Sequence, residues 1–197
     1  MISPKHPFWL VGFRPFFSLA CIAGLSLPIL WILILKGVLP APSAAYSPTQ
    51  WHAHEMFYGF GWAVLGGFLL TSTKNWVNVR GYHGSVLIYL TLTWLVERGV
   101  MAFGGHLPPL LFWLGSQLFL LSMVGLLLAT LIHHRNTDNY RRDNLFFLLI
   151  LPTFAVAKIL ILLPDSFQIG WTMTLGLFRV AFLVMLERTL TQFMKGI

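Results

Sequence analysis

The sequence predicts an all-α, polytopic transmembrane bundle of six helices. Of the 197 residues, 57% are hydrophobic and only 10% are charged, and the mean hydropathy is +0.76. Soluble domains carry about 25% charged residues, so this composition is typical of a chain embedded in a lipid bilayer. The apolar segments are continuous and do not alternate with polar residues, which argues against a membrane β-barrel.

Six apolar segments account for most of the chain. Their approximate limits are 16–35, 51–73, 85–103, 110–132, 145–163 and 169–186. Each has the roughly 17–25 residues that a helix needs to cross a bilayer core of about 30 Å. Proline, glycine and polar residues separate the segments, as turns require. The connections are short, so residues 1–197 are expected to form a single transmembrane helical domain.

The basic residues predict the orientation of the bundle. Nine of the thirteen flank segment ends on one side of the membrane, and Lys36 alone flanks the other. Loops rich in Lys and Arg stay in the cytoplasm, which predicts that both termini are cytoplasmic. The nine are Lys5, Arg14, Lys74, Arg80, Arg135, Arg141, Arg142, Arg188 and Lys195. Their scatter between apolar segments argues against nucleic acid as a partner, despite the net charge of +7.

The second segment opens with three titratable residues, His52, His54 and Glu55, at what should be the outer face. An ionisable group inside a membrane helix costs roughly 2.5–3.5 kcal/mol or more unless it is paired or bound to a ligand. We therefore predict a metal- or haem-linked site here. His52 and His54 are two residues apart and lie about 200° apart on a regular helix, so a single metal cannot bind both unless the first turn of the helix is irregular.

His52 and Met56 are four residues apart and share a helix face, and so do His52 and Glu55 at three residues. One arrangement has His52 and Met56 facing the bundle while His54 serves a second centre. Imidazole suits iron, copper and zinc, and thioether suits copper or haem. The alternative is a helix cap in which His and Glu lie at the membrane surface.

Cys21 is the single cysteine, which excludes an intramolecular disulfide.

Further polar residues are expected at the same membrane depth as the two histidines. Counting along the segments places Glu97, Arg98, His106 and Lys158 in the outer leaflet with them. Glu97 and Arg98 are interpreted as an ion pair or as a clamp for a haem propionate or another anion. The position of Lys158 indicates a side chain that reaches outward to the membrane surface.

Arg179 falls nearer the membrane midplane, about 15 Å along the sixth segment. It is too deep to reach the membrane surface comfortably, and no acidic residue lies at its level in the other segments. One interpretation is that Arg179 pairs with an anionic group in the bundle, either a haem propionate or a carboxylate.

Several motifs together resemble one protein family. They are GFRPFF at 12–17, WHAHEMFYGF at 51–60, GGFLLT at 66–71 followed by Asn75-Trp76, and LFRVAFL around Arg179. This combination resembles the NnrS family of polytopic bacterial inner-membrane proteins. Family members continue into a second set of membrane helices, so the resemblance covers their N-terminal half. It implies haem and copper as cofactors and a role in the nitric-oxide response.

Three functions remain open from the sequence. The first is a haem- and copper-binding membrane protein of nitrosative stress or denitrification, with His52, His54, Arg98 and Arg179 near the cofactor and His52, His54, Glu55 and Met56 as metal ligands. The second is a transporter with an outer polar vestibule. The third is a membrane scaffold without chemistry. Expected partners are the lipid bilayer and either a second copy or a second-half chain.

Overall fold

Six helices of the computed structural model are long and apolar enough to cross a membrane. The structure describes residues 3–40, 42, 46–138 and 144–194, and it contains no β-strand within these ranges. The prediction of an all-α membrane bundle is therefore confirmed. Three of the basic residues used to predict orientation, Arg141, Arg142 and Lys195, lie outside the described ranges.

The helices follow the apolar segments closely. The helices are α1 (Phe13–Leu35), α2 (Pro48–His54), α3 (Trp62–Trp76), α4 (Ser85–Phe103), α5 (Pro109–His133), α6 (Leu145–Leu162) and α7 (Phe167–Met194). A seven-residue π-helical stretch, Glu55–Gly61, joins α2 to α3. These three elements form one continuous span, Pro48–Trp76.

The second span begins three residues before the predicted position. Ser47 caps α2 by accepting a hydrogen bond from the backbone of Gln50, whose side chain in turn accepts one from the backbone of Ser47. This reciprocal pair is a capping box, and Pro48 at the first helical position adds to it. The two histidines therefore lie in the body of a helix.

Helices pack as neighbours in an irregular bundle. The helix pairs α1–α3, α4–α5 and α6–α7 are packed side by side, and α3 also contacts α5. Trp62, Phe16 and Phe119 are completely buried in the core. Many other apolar side chains are exposed along the helices, as expected when the solvent is lipid. The second span is the most buried of the six, which places its polar residues inside the protein.

Candidate functional site

Five ionisable residues from four elements meet inside the bundle. They are His54 from α2, Glu55 from the π-helical stretch, Glu97 and Arg98 from α4, and Lys158 from α6. We call this group the buried ion cluster. The side chains of all but Arg98 are at most 2% exposed, and Arg98 is 13% exposed. The sequence placed all five at one membrane depth, and the structure brings them into contact with one another.

Glu97 is the centre of the cluster. Its Oε1 lies 2.7 Å from the Nζ of Lys158 and also contacts the guanidinium of Arg98. Arg98 in addition donates from Nη1 to Oε2 of Glu55 at 3.0 Å. The prediction that Lys158 extends to the membrane surface is wrong, because Glu97 holds it inside the protein. Two carboxylates face two basic side chains, so the cluster is balanced in charge, as a buried network requires.

His54 has one ring nitrogen engaged and the other without a partner. Its Nδ1 lies 3.1 Å from Oε1 of Glu55. Its Nε2 is 4.0 Å from Oε1 of Glu97, beyond hydrogen-bond distance, and it is buried without a partner. Oε2 of Glu97 is also buried without a partner. A neutral imidazole that donates from Nδ1 to a carboxylate leaves its Nε2 lone pair available to a metal.

The π-helical stretch positions Glu55 and makes room for Arg98. A side chain at Gly59 would overlap Nη1 of Arg98 and lie 3.1 Å from Oε2 of Glu55, so only glycine leaves this approach open. The carbonyl of Gly59 accepts a hydrogen bond from Nε1 of Trp94 at 3.0 Å. Short π-helical insertions are frequent at functional sites. Here the insertion brings a carboxylate and a guanidinium together in the core.

Aromatic residues close the cluster from the sides. The guanidinium of Arg98 lies 5.4 Å from the ring of Trp94, and the ammonium of Lys158 lies 5.3 Å from the ring of Tyr58. Tyr58 is completely buried, and its hydroxyl is 2.9 Å from Oγ1 of Thr174 and donates to the carbonyl of Phe154 at 3.1 Å. Cations over aromatic faces are stabilised where water is excluded. No pattern in the sequence distinguished these aromatic residues from the many others of the chain.

His52, the other histidine of the segment, contacts α1 and not the buried ion cluster. The ring of His52 stacks on Trp31 of α1, with centroids 4.4 Å apart and an interplanar angle of 11°. Its Nδ1 is buried without a partner, although the residue as a whole is half-buried. Met56 is half-buried as well. In the structure His54 faces the core and His52 does not, so the arrangement with His52 and Met56 facing the bundle is reversed.

Two further residues named from the sequence lie away from the cluster. His106 is exposed in the turn after α4. Arg179 is exposed on α7, and no hydrogen bond or ion pair joins it to any residue that the structure describes. The cluster therefore contains one of the two arginines predicted near a cofactor.

Two atoms of the cluster, Nε2 of His54 and Oε2 of Glu97, are buried without a partner, and nitrogen and oxygen atoms of these residue types are common metal ligands. The 4.0 Å from His54 Nε2 to Glu97 is measured to Oε1, the oxygen that Arg98 and Lys158 contact, whereas the oxygen without a partner is Oε2. Within the described ranges, no group of three or more His, Cys, Asp or Glu side chains is arranged to hold a metal. The protein thus offers a partial ligand set at this position.

A haem does not fit beside His54, because that imidazole is completely enclosed. Cofactor pockets have volumes of about 300–1,000 Å³. A cavity of about 770 Å³ exists between α6 and α7, but no residue of the buried ion cluster lines it. The half-buried His52, at the protein boundary, has an imidazole that a large planar group could approach.

Comparison with known proteins gives one match. Residues 7–197 match the NnrS family, described as NnrS protein. No curated protein and no solved structure matches the chain. The family match covers nearly the whole sequence, including the WHAHEM segment and the arginines discussed above. The chain therefore belongs to the NnrS family.

Proposed function

We propose that this chain is a haem- and copper-binding inner-membrane protein of the nitric-oxide response, acting in nitrosative stress or denitrification. The observation that carries the proposal is the imidazole of His54, which contacts Glu55 through Nδ1 while its buried Nε2 has no partner. Membership of the NnrS family supports the choice of cofactors. Both termini are proposed to be cytoplasmic, which puts the buried ion cluster in the outer half of the membrane.

Copper is proposed at His54. Glu55 would hold the ring in the tautomer whose Nε2 carries the lone pair, and Oε2 of Glu97 would be the second ligand atom. Arg98 and Lys158 already hold the other oxygen of Glu97, which orients the carboxylate. Partners of this kind typically change metal affinity by about 10–100-fold when they are removed.

Haem is proposed at His52, with Met56 one turn away as a second soft donor. The stacking of His52 on Trp31 limits rotation of the imidazole, and the half-buried position of the residue leaves part of the ring open to a large planar group. Haem iron would supply a site that binds nitric oxide. The chain's own part is to orient the imidazole and to keep the copper site and the haem site on opposite sides of α2.

The experiment is an optical and metal analysis of detergent-purified protein. We expect a Soret band that shifts on addition of nitric oxide, together with iron and copper in stoichiometric amounts. The variants His106→Ala and His133→Ala serve as controls that should keep both metals. Both histidines are exposed and belong to neither proposed site. A preparation with correctly folded protein but neither a Soret band nor copper would contradict the proposal.

One observation favours a second candidate, an ion or proton transporter. Ionisable residues inside membrane spans often mark transport pathways, and the cluster holds five of them. Proteoliposomes decide between the two candidates. Ion or proton flux that depends on Glu97 in metal-free protein would favour transport. No flux, together with bound haem and copper, would favour the first proposal.

A further inference from the structure

Two adjoining cavities lie at one end of the bundle, where α3 ends and the chain connects to α4. Their volumes are about 130 and 310 Å³, and the larger reaches the lower limit of typical small-molecule sites, about 300–1,000 Å³. Because the two cavities share most of one wall, we treat them as a single site and call it the basic cleft. Six residues line both cavities: Leu70, Lys74, Val79, Arg80, Gly81 and Tyr82.

The walls of the cleft are held by contacts between α1, α3 and α5. A Cβ added at Gly12 would lie 2.6 Å from the Cβ of Leu70, so glycine allows the start of α1 to approach α3. The backbone N–H of Phe13 donates to Oγ1 of Thr71 at 2.9 Å. On the other side, the hydroxyl of Tyr82 donates to a backbone carbonyl of α5 at 3.1 Å. The GFRPFF and GGFLLT motifs, which the proposed cofactor sites do not use, thus build this cleft.

The cleft is positively charged. Lys74 is half-buried and Arg80 is exposed, and neither forms an ion pair with any residue that the structure describes. The stem of Lys74 lies against Gly81, where an added Cβ would be 3.0 Å from Cδ of the lysine. His134 lines the smaller cavity, and among the described residues no Asp or Glu lines either one. Two cations without a carboxylate beside them attract an anion.

The connection between α3 and α4 adds backbone donors to these cations. The N–H groups of Arg80, Gly81 and Tyr82 donate to no residue that the structure describes. Successive backbone N–H groups, together with Arg and Lys side chains, are the donors that typically bind phosphate groups. The donor set of the cleft therefore matches the oxygens of a phosphate.

We propose that the basic cleft binds a phosphate group, carried by an anionic lipid head group or by free phosphate. Arg80 presents two parallel N–H donors to such a group and Lys74 presents a point charge. Basic pockets between membrane helices bind the head groups of anionic lipids, and the orientation proposed above puts this cleft at the cytoplasmic surface. Leu70 and Val79 line both cavities and give the apolar part of a lipid a contact surface. The inference goes beyond the proposed function and requires neither haem nor copper.

The test measures binding to the full chain after it has been purified and delipidated in an uncharged detergent. Native mass spectrometry counts the molecules of phosphatidylglycerol that bind, and equilibrium dialysis with radiolabelled inorganic phosphate measures binding of the free anion. Phosphatidylcholine is the control lipid, because its choline neutralises the charge of the phosphate. We expect saturable binding of at least one probe, with phosphatidylglycerol bound about tenfold more tightly than phosphatidylcholine if the source is lipid. Binding of phosphate without that lipid preference would identify the free anion as the source.

Substitutions in the cleft locate the binding site. Lys74→Gln and Arg80→Gln should each weaken binding about tenfold, which is the usual effect of losing one charge-assisted hydrogen bond. Arg135→Gln is the matched control, because Arg135 follows the end of α5, is exposed and lines neither cavity. Gly81→Leu keeps every charge but fills the cleft, so it should also weaken binding. Its control is Gly125→Leu, at a position where an added Cβ meets no atom within 4 Å.

Three results would overturn the inference. One is the absence of saturable binding of either probe to the unmodified chain. Another is binding that Lys74→Gln and Arg80→Gln leave unchanged. The third is an equal loss in Arg135→Gln, which would reduce the effect to general surface charge. The unfolding midpoint of each variant shows whether it is folded, and the exposed Arg80 decides the outcome if Lys74→Gln is not. Loss of haem and copper would leave all these readouts unchanged, so the inference and the proposed function can fail separately.

Discussion

The buried pair of Glu97 and Lys158 allows a quantitative prediction about stability. Two unit charges 2.7 Å apart attract by about 6 kcal/mol at an effective dielectric constant of about 20. Desolvation of the two ions offsets several kcal/mol of this attraction. Removing one partner nevertheless leaves the other charge buried. We therefore expect Glu97→Gln to lower the free energy of unfolding by about 3–5 kcal/mol.

The companion variant is Lys158→Met, which removes the ammonium but leaves Glu97 paired with Arg98. Its effect should be smaller than that of Glu97→Gln. The double variant removes both charges and keeps the net charge of the chain, so it should be more stable than the sum of the single changes by about 2 kcal/mol. Glu187→Gln is the control, because Glu187 is exposed, and it should change stability by no more than about 0.5 kcal/mol.

The assay is unfolding in mixed micelles by increasing the fraction of denaturing detergent, followed by tryptophan fluorescence. Each variant is compared at the same lipid-to-detergent ratio. The reasoning is refuted if Glu97→Gln costs less than about 1 kcal/mol, or if the two single changes add up in the double variant. Either result would mean that Glu97 and Lys158 are not held as a buried pair.

Three more predictions concern the packing at Gly59, the cap of α2 and the orientation of the bundle in the membrane. Gly59→Ala should cost about 1–3 kcal/mol, because its methyl group would displace Arg98, and unfolding in the same micelles would show it. Ser47→Ala should cost about 1 kcal/mol through loss of the α2 cap, and an unchanged midpoint would argue against that cap. Reporter fusions at Val38 and Asn136 should report the outside and the cytoplasm, respectively, and the reverse result would invert the orientation.

Apolar run length was enough to predict the fold, because a membrane span has to be continuous and about 20 residues long. The start of α2 was missed by three residues. Ser47, Pro48 and Gln50 read as a loop in sequence, whereas together they form a capping box. Local chemistry of this kind sets helix ends, and a hydropathy pattern does not record it.

The residues that form the buried ion cluster could be predicted from the sequence, but the contacts between them could not. Depth along each span correctly grouped Glu97, Arg98 and Lys158 with the HAHE segment. Which histidine turned inward depended on how α2 rotates against α1 and α6, and sequence spacing does not determine that rotation. The burial of Lys158 depended on a partner from another helix. The exposure of Arg179 was likewise not predictable, because the sequence does not show which face of α7 packs against the bundle.

The central claim is that the two histidines of the WHAHEM segment serve different cofactors. The decisive measurement is the iron and copper content of purified His54→Ala and His52→Ala, compared with the unmodified chain. We predict that His54→Ala loses copper and keeps haem, and that His52→Ala loses haem and keeps copper. Loss of both cofactors in each variant, or of neither in both, would contradict the claim.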